Sequence, residues 1–181
     1  MRHKDVKRAM MAISALAFLA YYGRTSLPLM GTPMVLMGMP TALPPYHLME
    51  WEMVLLINQR RLDYLLPPLT KNPHLMKSAR FKTLHMKEHH YYSHTSPVYG
   101  NFYHIPRQFG HEGPVGEVLH GIDHSCLNAI VEAWLSSDEH RALLLHPQAR
   151  SLGVGITPLD KPFVVAQGYV IRGLTAVHFG F

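Results

Sequence analysis

Cysteine is almost absent from this chain of 181 residues, which contains Cys126 alone. A single thiol cannot form an internal disulfide, so a small scaffold held together by disulfides is excluded. Cys126 also lies far from the amino terminus, where a lipid-modified cysteine would have to follow an export signal directly. A lipoprotein anchor is therefore not expected either.

The amino-terminal part lacks an apolar run long enough to cross a bilayer. Its uncharged run, Ala9–Tyr22, has 14 residues, whereas a membrane-spanning helix needs about 20. The run follows a basic start and matches the two parts of an export signal. A clean small-x-small cleavage site is missing, so residues 1–22 are either a cleaved signal peptide or a retained anchor. We expect a secreted or periplasmic protein that meets a membrane only through this segment.

A strong excess of one charge is also missing. The formal net charge is +5, but beyond residue 22 the sequence holds 13 basic and 11 acidic residues, a net charge of +2. Nucleic-acid-binding domains normally carry a marked basic surface. No nucleic-acid partner is therefore expected. The hydrophobic content of 48% is ordinary for one globular domain with a core.

Prolines and methionines are concentrated in residues 23–46. The repeated prolines prevent a helix there, and the apolar content is too high for a freely solvated linker. We expect an extended tether that lies partly on the surface of the domain that follows. Periodic apolar spacing begins near His47, so residues 47–181 are predicted to form the folded domain.

Two helices are predicted at the start of this domain. The first begins near His47 and ends before Pro67, because proline disfavours a helical residue before it. Its expected buried face follows helical spacing and comprises Trp51, Val54, Leu55, Asn58, Leu62 and Leu65. The second helix begins at Asn72-Pro73, with proline at the first helical position, and runs to the His89–His90 pair.

Two more helices are predicted in the second half of the domain. The third carries a continuous apolar stripe, typical of a core-facing helix, formed by Leu127, Ile130, Val131, Trp134 and Leu135. Asp123 or Ser125 is expected to cap it. The fourth opens at Ser136, where Glu139 has the spacing of a capping box, and closes before Pro147. We expect both tryptophans of the domain to lie in the core.

Strands are predicted where apolar residues alternate with others. A first strand covers Val115–Leu119, and an antiparallel hairpin pairs Leu152–Ile156 with Phe163–Tyr169 around the Pro158–Pro162 stretch. Val177–Phe181 is expected to add one more strand. Helices before and between the strands, without alternating strand–helix–strand units, indicate an α+β fold. The expected architecture is an α-β-α sandwich in which helices cover a small antiparallel sheet.

Several short motifs occur in a recognisable order along this domain. They are Asn58-x-x-Arg61, Pro68-Leu69, His94-Thr95-Ser96-Pro97, Gly116-Glu117, Trp134 to Arg141, Leu152-Gly153-Val154-Gly155 and Gln167. In this order they resemble the bacterial branch of the CAP superfamily of cysteine-rich secretory, SCP-like proteins, over residues 48–170. The resemblance supports the α-β-α sandwich and implies a domain that works outside the cytoplasm.

Eukaryotic members of that superfamily present a His-Glu-Glu-His tetrad in a cleft. In this sequence His94 and Glu117 match the first two positions, whereas Ser137 and Val164 stand at the third and fourth. His140, three residues beyond Ser137, is a candidate to supply another ring nitrogen. The resemblance therefore implies that two of the four tetrad residues, His94 and Glu117, are present in this chain.

The expected binding cleft comprises His94, Glu117, His140, Ser137, Gln167 and Tyr92. Neutral histidine and ionised glutamate bind zinc, but the same two groups also form charge-assisted hydrogen bonds that order a cleft. His94, Glu117 and His140 are thus candidate ligands of a divalent metal such as zinc, with the hydrogen-bonded alternative left open. Tyr92 belongs to a group of aromatic residues beside His94 that are suited to contact a ligand.

Three functions are compatible with this cleft. The first is an exported binding module that recognises a cell-envelope component, a lipid or a peptide. The second is a hydrolase of peptide or peptidoglycan with His94 or Glu117 as the catalytic base, although no convincing nucleophile stands beside them. The third is a structural or interaction domain in which the pair only ties a loop to the helices.

Overall fold

The domain consists of five helices and four strands within the residues described by a computed structural model, 45–123, 126–165 and 168–181. In chain order they are α1 (Pro45–Asp63), β1 (Thr70–Lys71), α2 (Pro73–Glu88), α3 (His104–Gln108), β2 (Val115–Ile122), α4 (Leu127–Ser136), α5 (Asp138–Leu144), β3 (Ser151–Val164) and β4 (Val170–Gly180). None of these described helices is long and apolar enough to cross a membrane. The predicted leader, residues 1–22, and nearly all of the predicted tether, residues 23–46, lie outside the described residues.

The four strands form one sheet in the order β1-β3-β4-β2. Strand β4 pairs antiparallel with both β3 and β2. Strand β1 pairs parallel with β3, so the sheet is mixed and the expectation of a purely antiparallel sheet is wrong at this edge. The α+β prediction itself is confirmed. The register places Glu117 of β2 and Gly153 of β3 on either side of His178 in β4.

Helices cover both faces of the sheet. One core cluster joins α1, α4 and α5 to one face through buried residues such as Ile57, Ile130 and Val177. The second cluster lies on the other face, where Met86 of α2 packs with Leu119 and Ala176. The sheet is therefore the middle layer of an α-β-α sandwich, as predicted.

Helix α2 lies unusually close to β3. Its start is confirmed, because the Asn72 side chain accepts hydrogen bonds from the amides of His74 and Leu75. A Cβ atom at Gly153 would overlap the backbone of Leu75, and a Cβ atom at Gly155 would overlap the backbone of Ala79. The two glycines of the Leu-Gly-Val-Gly motif thus permit direct contact between helix and strand backbones.

The buried face of α1 differs from the predicted one. Val54 is buried as expected, but Leu55 and Leu65 are exposed by 54% and 69%, while Arg61 is fully buried. The guanidinium of Arg61 donates to the carbonyl oxygens of Pro67, Leu144 and His146 at 2.7–3.1 Å. Hydrophobic spacing could not reveal this face, because a charged side chain that donates to backbone carbonyls occupies part of it.

The two tryptophans have different environments. Trp134 is 1% exposed, and its indole nitrogen donates to the Leu119 carbonyl at 3.0 Å, so its predicted core position is confirmed. Trp51 is only half-buried, and the Lys71 ammonium lies 3.7 Å above its ring centroid. The core prediction for Trp51 is therefore wrong.

The domain ends in an antiparallel hairpin, but the predicted pairing of Leu152–Ile156 with Phe163–Tyr169 is wrong, because Leu152 and Phe163 lie on one strand and both pair with β4. Strand β3 continues through the Pro158–Pro162 stretch to Val164, and the Val165 amide then donates to the Tyr169 carbonyl. Pairing between β3 and β4 becomes irregular between Pro158 and Phe163. Because prolines lack an amide donor, they are accommodated at such an irregularity inside a strand.

The starts of helices α4 and α5 differ in detail from the predicted ones. Helix α4 is confirmed, but Cys126 precedes it without a side-chain cap, and Ser125 lies outside the described residues. The Ser136 hydroxyl donates to the Glu132 carbonyl instead of capping α5, because α5 begins one residue later, after Ser137. Between α2 and β2, the chain forms the short helix α3.

Arg61 and its neighbour Arg60 allow a test of the buried carbonyl contacts. We expect Arg61→Met to lower the free energy of unfolding by about 2–3 kcal/mol, because it leaves buried carbonyl oxygens without a donor. Arg60→Met removes the contacts of a largely surface arginine with Glu132 and Asp63 and should cost less than about 1 kcal/mol. Urea denaturation of both variants measures the difference, and equal losses would contradict the role given to Arg61.

Candidate functional site

Glu117 is the centre of a buried polar network on the α2 side of the sheet. Its side chain is fully buried. His178, also fully buried, lies opposite it on β4 and places Nε2 2.9 Å from Glu117 Oε2. The other ring nitrogen of His178, Nδ1, lies 2.8 Å from the Ser78 hydroxyl of α2. An ionised carboxylate only accepts hydrogen bonds, so His178 donates from Nε2 to Glu117.

Lys82 enters the network from α2, one helical turn beyond Ser78. Its side chain is completely buried, and Nζ lies 3.9 Å from Glu117 Oε1. The ammonium donates to the carbonyl oxygens of Ser93 and His94 at 2.7 and 3.0 Å. The buried Lys82 ammonium therefore contacts both the Glu117 carboxylate and the backbone of His94.

His94 connects this network to the surface. Its Nδ1 lies 2.8 Å from Glu117 Oε1, and its side chain is 47% exposed. Because the carboxylate accepts from Nδ1, Nε2 is the ring nitrogen left for contacts outside the network. The structure thus brings the predicted pair together, with Glu117 inside and His94 at the surface.

The loop that carries His94 is ordered by its own backbone. Ser96 and Gly100 exchange two backbone hydrogen bonds, and the buried Ser96 hydroxyl accepts from the amides of Val98 and Tyr99. Phe102 lies beside the His94 ring at a centroid distance of 6.3 Å. The His-x-Ser-Pro motif therefore forms a tight turn that fixes the direction in which His94 points.

The protonation of the buried groups follows from these contacts. Burial would raise the pKa of Glu117, but hydrogen bonds from His178 and His94, together with the charge of Lys82, outweigh it and hold the pKa below its ordinary value. Burial lowers the pKa of Lys82, and the nearby carboxylate of Glu117 opposes that change. Each charge of this buried pair therefore favours the charged form of the other.

The remaining residues of the predicted cleft and tetrad lie on other elements of the fold. His140 is half-buried in the first turn of α5, and its pKa is lowered by burial and by the nearby His94. Ser137 is half-buried just before that helix. Val164, at the fourth tetrad position, is 65% exposed and paired with Val170, far along β3 from the row that holds Glu117. Gln167 lies outside the described residues.

Tyr92 lines a groove next to the His94–Glu117 pair. The groove has a volume of about 700 Å³, and its lining includes Tyr92, His120, Asp123, Phe163, Tyr169 and Ile171. Burial raises the pKa of Tyr92 to about 12, so its hydroxyl stays protonated. The groove joins apolar walls to polar groups, and His94 lies outside it, two residues further along the chain.

The donor set does not suit a zinc ion bound by Glu117. Both oxygens of Glu117 and both nitrogens of His178 are already engaged in hydrogen bonds, and the Lys82 ammonium lies beside the carboxylate. Across the described ranges, no three His, Cys, Asp or Glu side chains are grouped so as to hold a metal ion. The predicted set His94, Glu117 and His140 is therefore corrected to a hydrogen-bonded pair beside a lysine.

His178 and Lys82 were missed by the sequence analysis. Lys82 follows Ser78 and Ala79 at helical spacing on the face of α2 that packs against the sheet, so a lysine on an otherwise buried stripe was the available signal. His178 stands between Val177 and Phe179 in an apolar strand. Only the pairing of β2 with β4 shows that it faces Glu117.

Comparison with known proteins agrees with this fold and motif order. Residues 54–169 match the cysteine-rich secretory protein family, CAP. The chain therefore belongs to the CAP family. Over 106 residues it is 33% identical to the uncharacterized Bacillus subtilis protein YkwD, a match that covers 59% of this chain and 41% of YkwD.

Solved structures show the same fold. An extracellular protein containing an SCP domain from Bacillus anthracis superposes with a TM-score of 0.60 and 26% identity, over 75% of this chain and 41% of that one. An outer surface protein from Borrelia burgdorferi superposes with a TM-score of 0.58 and 19% identity, over 73% of this chain and 91% of that one. This chain thus corresponds to about two fifths of the length of YkwD and of the Bacillus anthracis protein.

Proposed function

We propose that this chain is an exported CAP-domain binding module whose ligand, a component of the cell envelope, contacts His94. One observation carries the proposal: the half-exposed imidazole of His94 donates from Nδ1 to Oε1 of the fully buried Glu117 at 2.8 Å. A surface histidine held this rigidly loses little side-chain entropy when it binds, which favours recognition. The aromatic ring of Phe102 beside it offers apolar contact area.

The export part of the proposal rests on the amino-terminal segment and on the relatives. A basic start followed by the apolar run Ala9–Tyr22 is typical of an export signal. The Bacillus anthracis structure to which this chain is similar is described as an extracellular protein. We therefore propose that residues 1–22 direct export and that residues 23–46 form a tether between this segment and the domain.

The binding proposal is tested with the full chain and two defined probes. These probes are purified peptidoglycan sacculi and vesicles of phosphatidylethanolamine and phosphatidylglycerol, each sedimented with the protein. We expect one of them to pellet the wild type and His94→Ala to weaken that binding about tenfold, which corresponds to roughly 1.4 kcal/mol. His89→Ala, which changes an exposed histidine at the end of α2, should leave binding unchanged.

Urea denaturation of the same variants separates recognition from a structural role. Weaker sedimentation of His94→Ala with unchanged stability supports a binding site. Lost stability without any change in sedimentation supports a pair that only ties the loop to the sheet, and it contradicts the proposal. If neither probe pellets the wild type, the envelope ligand is wrong.

One observation favours a second function, hydrolysis of peptide or peptidoglycan. Glu117 accepts from Nδ1 of His94, an arrangement that orients the other nitrogen outward as a general base. The adjacent serine hydroxyls are engaged locally, since Ser93 and Ser96 accept from nearby amides. A water molecule would therefore have to be the nucleophile, and release of soluble fragments from sacculi by the wild type but not by His94→Ala would establish this activity.

A further inference from the structure

We infer that the Lys82 ammonium is the resident cation of this site, and that it positions His94 in place of the divalent metal for which His94 and Glu117 are candidate ligands. The inference adds a positioning residue to the proposed binding site. It rests on the contacts of Lys82 and can be tested without any ligand, so failure to find an envelope component would leave it standing.

The contacts of Lys82 resemble the coordination of a small cation. An ammonium has three hydrogens to donate. Two reach the carbonyl oxygens of Ser93 and His94, and the carboxylate of Glu117 lies 3.9 Å away on a further side. The ring of Tyr91 approaches at a centroid distance of 5.2 Å, within the range of a cation–π contact. Two carbonyl oxygens, a carboxylate and an aromatic ring thus compensate the positive charge of the ammonium.

Lys82 acts on both members of the His94–Glu117 pair. Through the backbone carbonyl of His94 it fixes the position of the imidazole, and through its charge it favours the ionised form of Glu117 that accepts from Nδ1. His178 supports the same carboxylate from the opposite side. The two buried groups thus determine which nitrogen of His94 carries the hydrogen and which one faces outward.

The same contacts oppose a metal ion. A divalent cation beside Glu117 would lie close to the Lys82 ammonium, and the repulsion between two cations is strong among side chains as buried as these. It would also compete with His178 and His94 for the carboxylate oxygens to which they donate. The network is therefore complete without a metal.

Nitrogen-15 NMR of the histidine rings tests the positioning role. In the wild type we expect His94 to show the tautomer protonated at Nδ1, and we expect its signals to stay in place when equimolar zinc is added. Lys82→Met should shift the His94 signals toward a mixture of tautomers. The control is Lys87→Met, on the same helix, whose ammonium pairs with the exposed Asp160 and should leave His94 unchanged.

A double-mutant cycle tests the electrostatic coupling between Lys82 and Glu117. If Lys82→Met folds poorly, rescue of its folding by Glu117→Gln gives the same information. Lys82→Met and Glu117→Gln each leave a buried charge without its partner, whereas the double variant leaves neither. The double variant should therefore be more stable than the sum of the single losses predicts, by a factor of about 100 or more in the unfolding equilibrium constant.

Three results would overturn the inference. Additive losses of stability would show that Lys82 and Glu117 are not coupled. Unchanged His94 signals in folded Lys82→Met would show that the lysine does not position the imidazole. A specific shift of the His94 signals in the wild type on adding zinc would show that the site does accept the metal.

Discussion

Glu117→Gln is expected to lower the free energy of unfolding by about 3–5 kcal/mol, the usual cost of removing one partner from a buried charge pair. The amide has nearly the shape of the carboxylate, so packing is preserved. It carries no charge, however, and Lys82 then remains buried without an anion. The amide also offers a single oxygen, although His178 and His94 both donate toward this side chain.

Glu132→Gln is the matched control for this prediction. Glu132 is exposed on α4 and pairs with Arg60, and such a surface pair contributes less than about 1 kcal/mol. Urea denaturation followed by circular dichroism measures both variants. If Glu117→Gln is as stable as Glu132→Gln, the buried network is not a source of stability.

The pH dependence of stability provides a second measurement on the same carboxyl group. Its pKa in the folded state lies below the ordinary value of 4.5, so the unfolded chain takes up a proton first as the pH falls. The stabilisation from Glu117 is therefore complete at neutral pH and is lost as the pH falls from about 4.5 through the folded-state pKa. Glu117→Gln should lack this part of the acid-induced loss of stability.

Gly155→Ala is expected to cost at least about 3 kcal/mol, because the new Cβ atom would overlap the backbone of Ala79 in α2. A backbone cannot move aside as a flexible side chain can, so the helix must shift away from the sheet. Lys82 lies on that helix and contacts the His94 carbonyl. We therefore expect the His94 ring signals in NMR to change together with the stability.

Gly173→Ala tests whether the effect depends on this close approach. Gly173 lies on β4, and its nearest neighbours would be 3.4 Å from an added Cβ atom, in the side chain of Ile122 and the carbonyl of Thr157. The substitution should change stability by less than about 0.5 kcal/mol. Equal losses for the two variants would show that any side chain on this sheet is harmful, which would remove the special role of Gly155.

Local signals predicted the helices best. Helix α2 begins at Pro73 because the side chain of the preceding Asn72 accepts from free amides and proline needs no hydrogen-bond partner at the first helical position. Helix α1 was found, but its buried face was not. The burial of Arg61 depends on carbonyl oxygens more than 80 residues away in the sequence, and hydrophobic spacing contains no information about such acceptors.

The candidate site was predicted in part. His94 and Glu117 were identified from the motif order, and the structure places them in hydrogen-bonding contact. His178 was not found, because its relation to Glu117 depends on strand register between segments 61 residues apart. A shift of one residue would turn His178 to the opposite face of the sheet. Of the two interpretations left open for the pair, metal binding did not take into account the lysine beside the glutamate, which no motif of the sequence indicated.

The central position of β4 determines when this site can be assembled. The strand follows β2 and β3 along the chain but lies between them in the sheet. As the polypeptide emerges during synthesis, β2 and β3 therefore have no common neighbour until residues 170–180 arrive. Such non-local pairing is slow. Glu117 and His178 can therefore meet only after all four strands of the sheet have been synthesised.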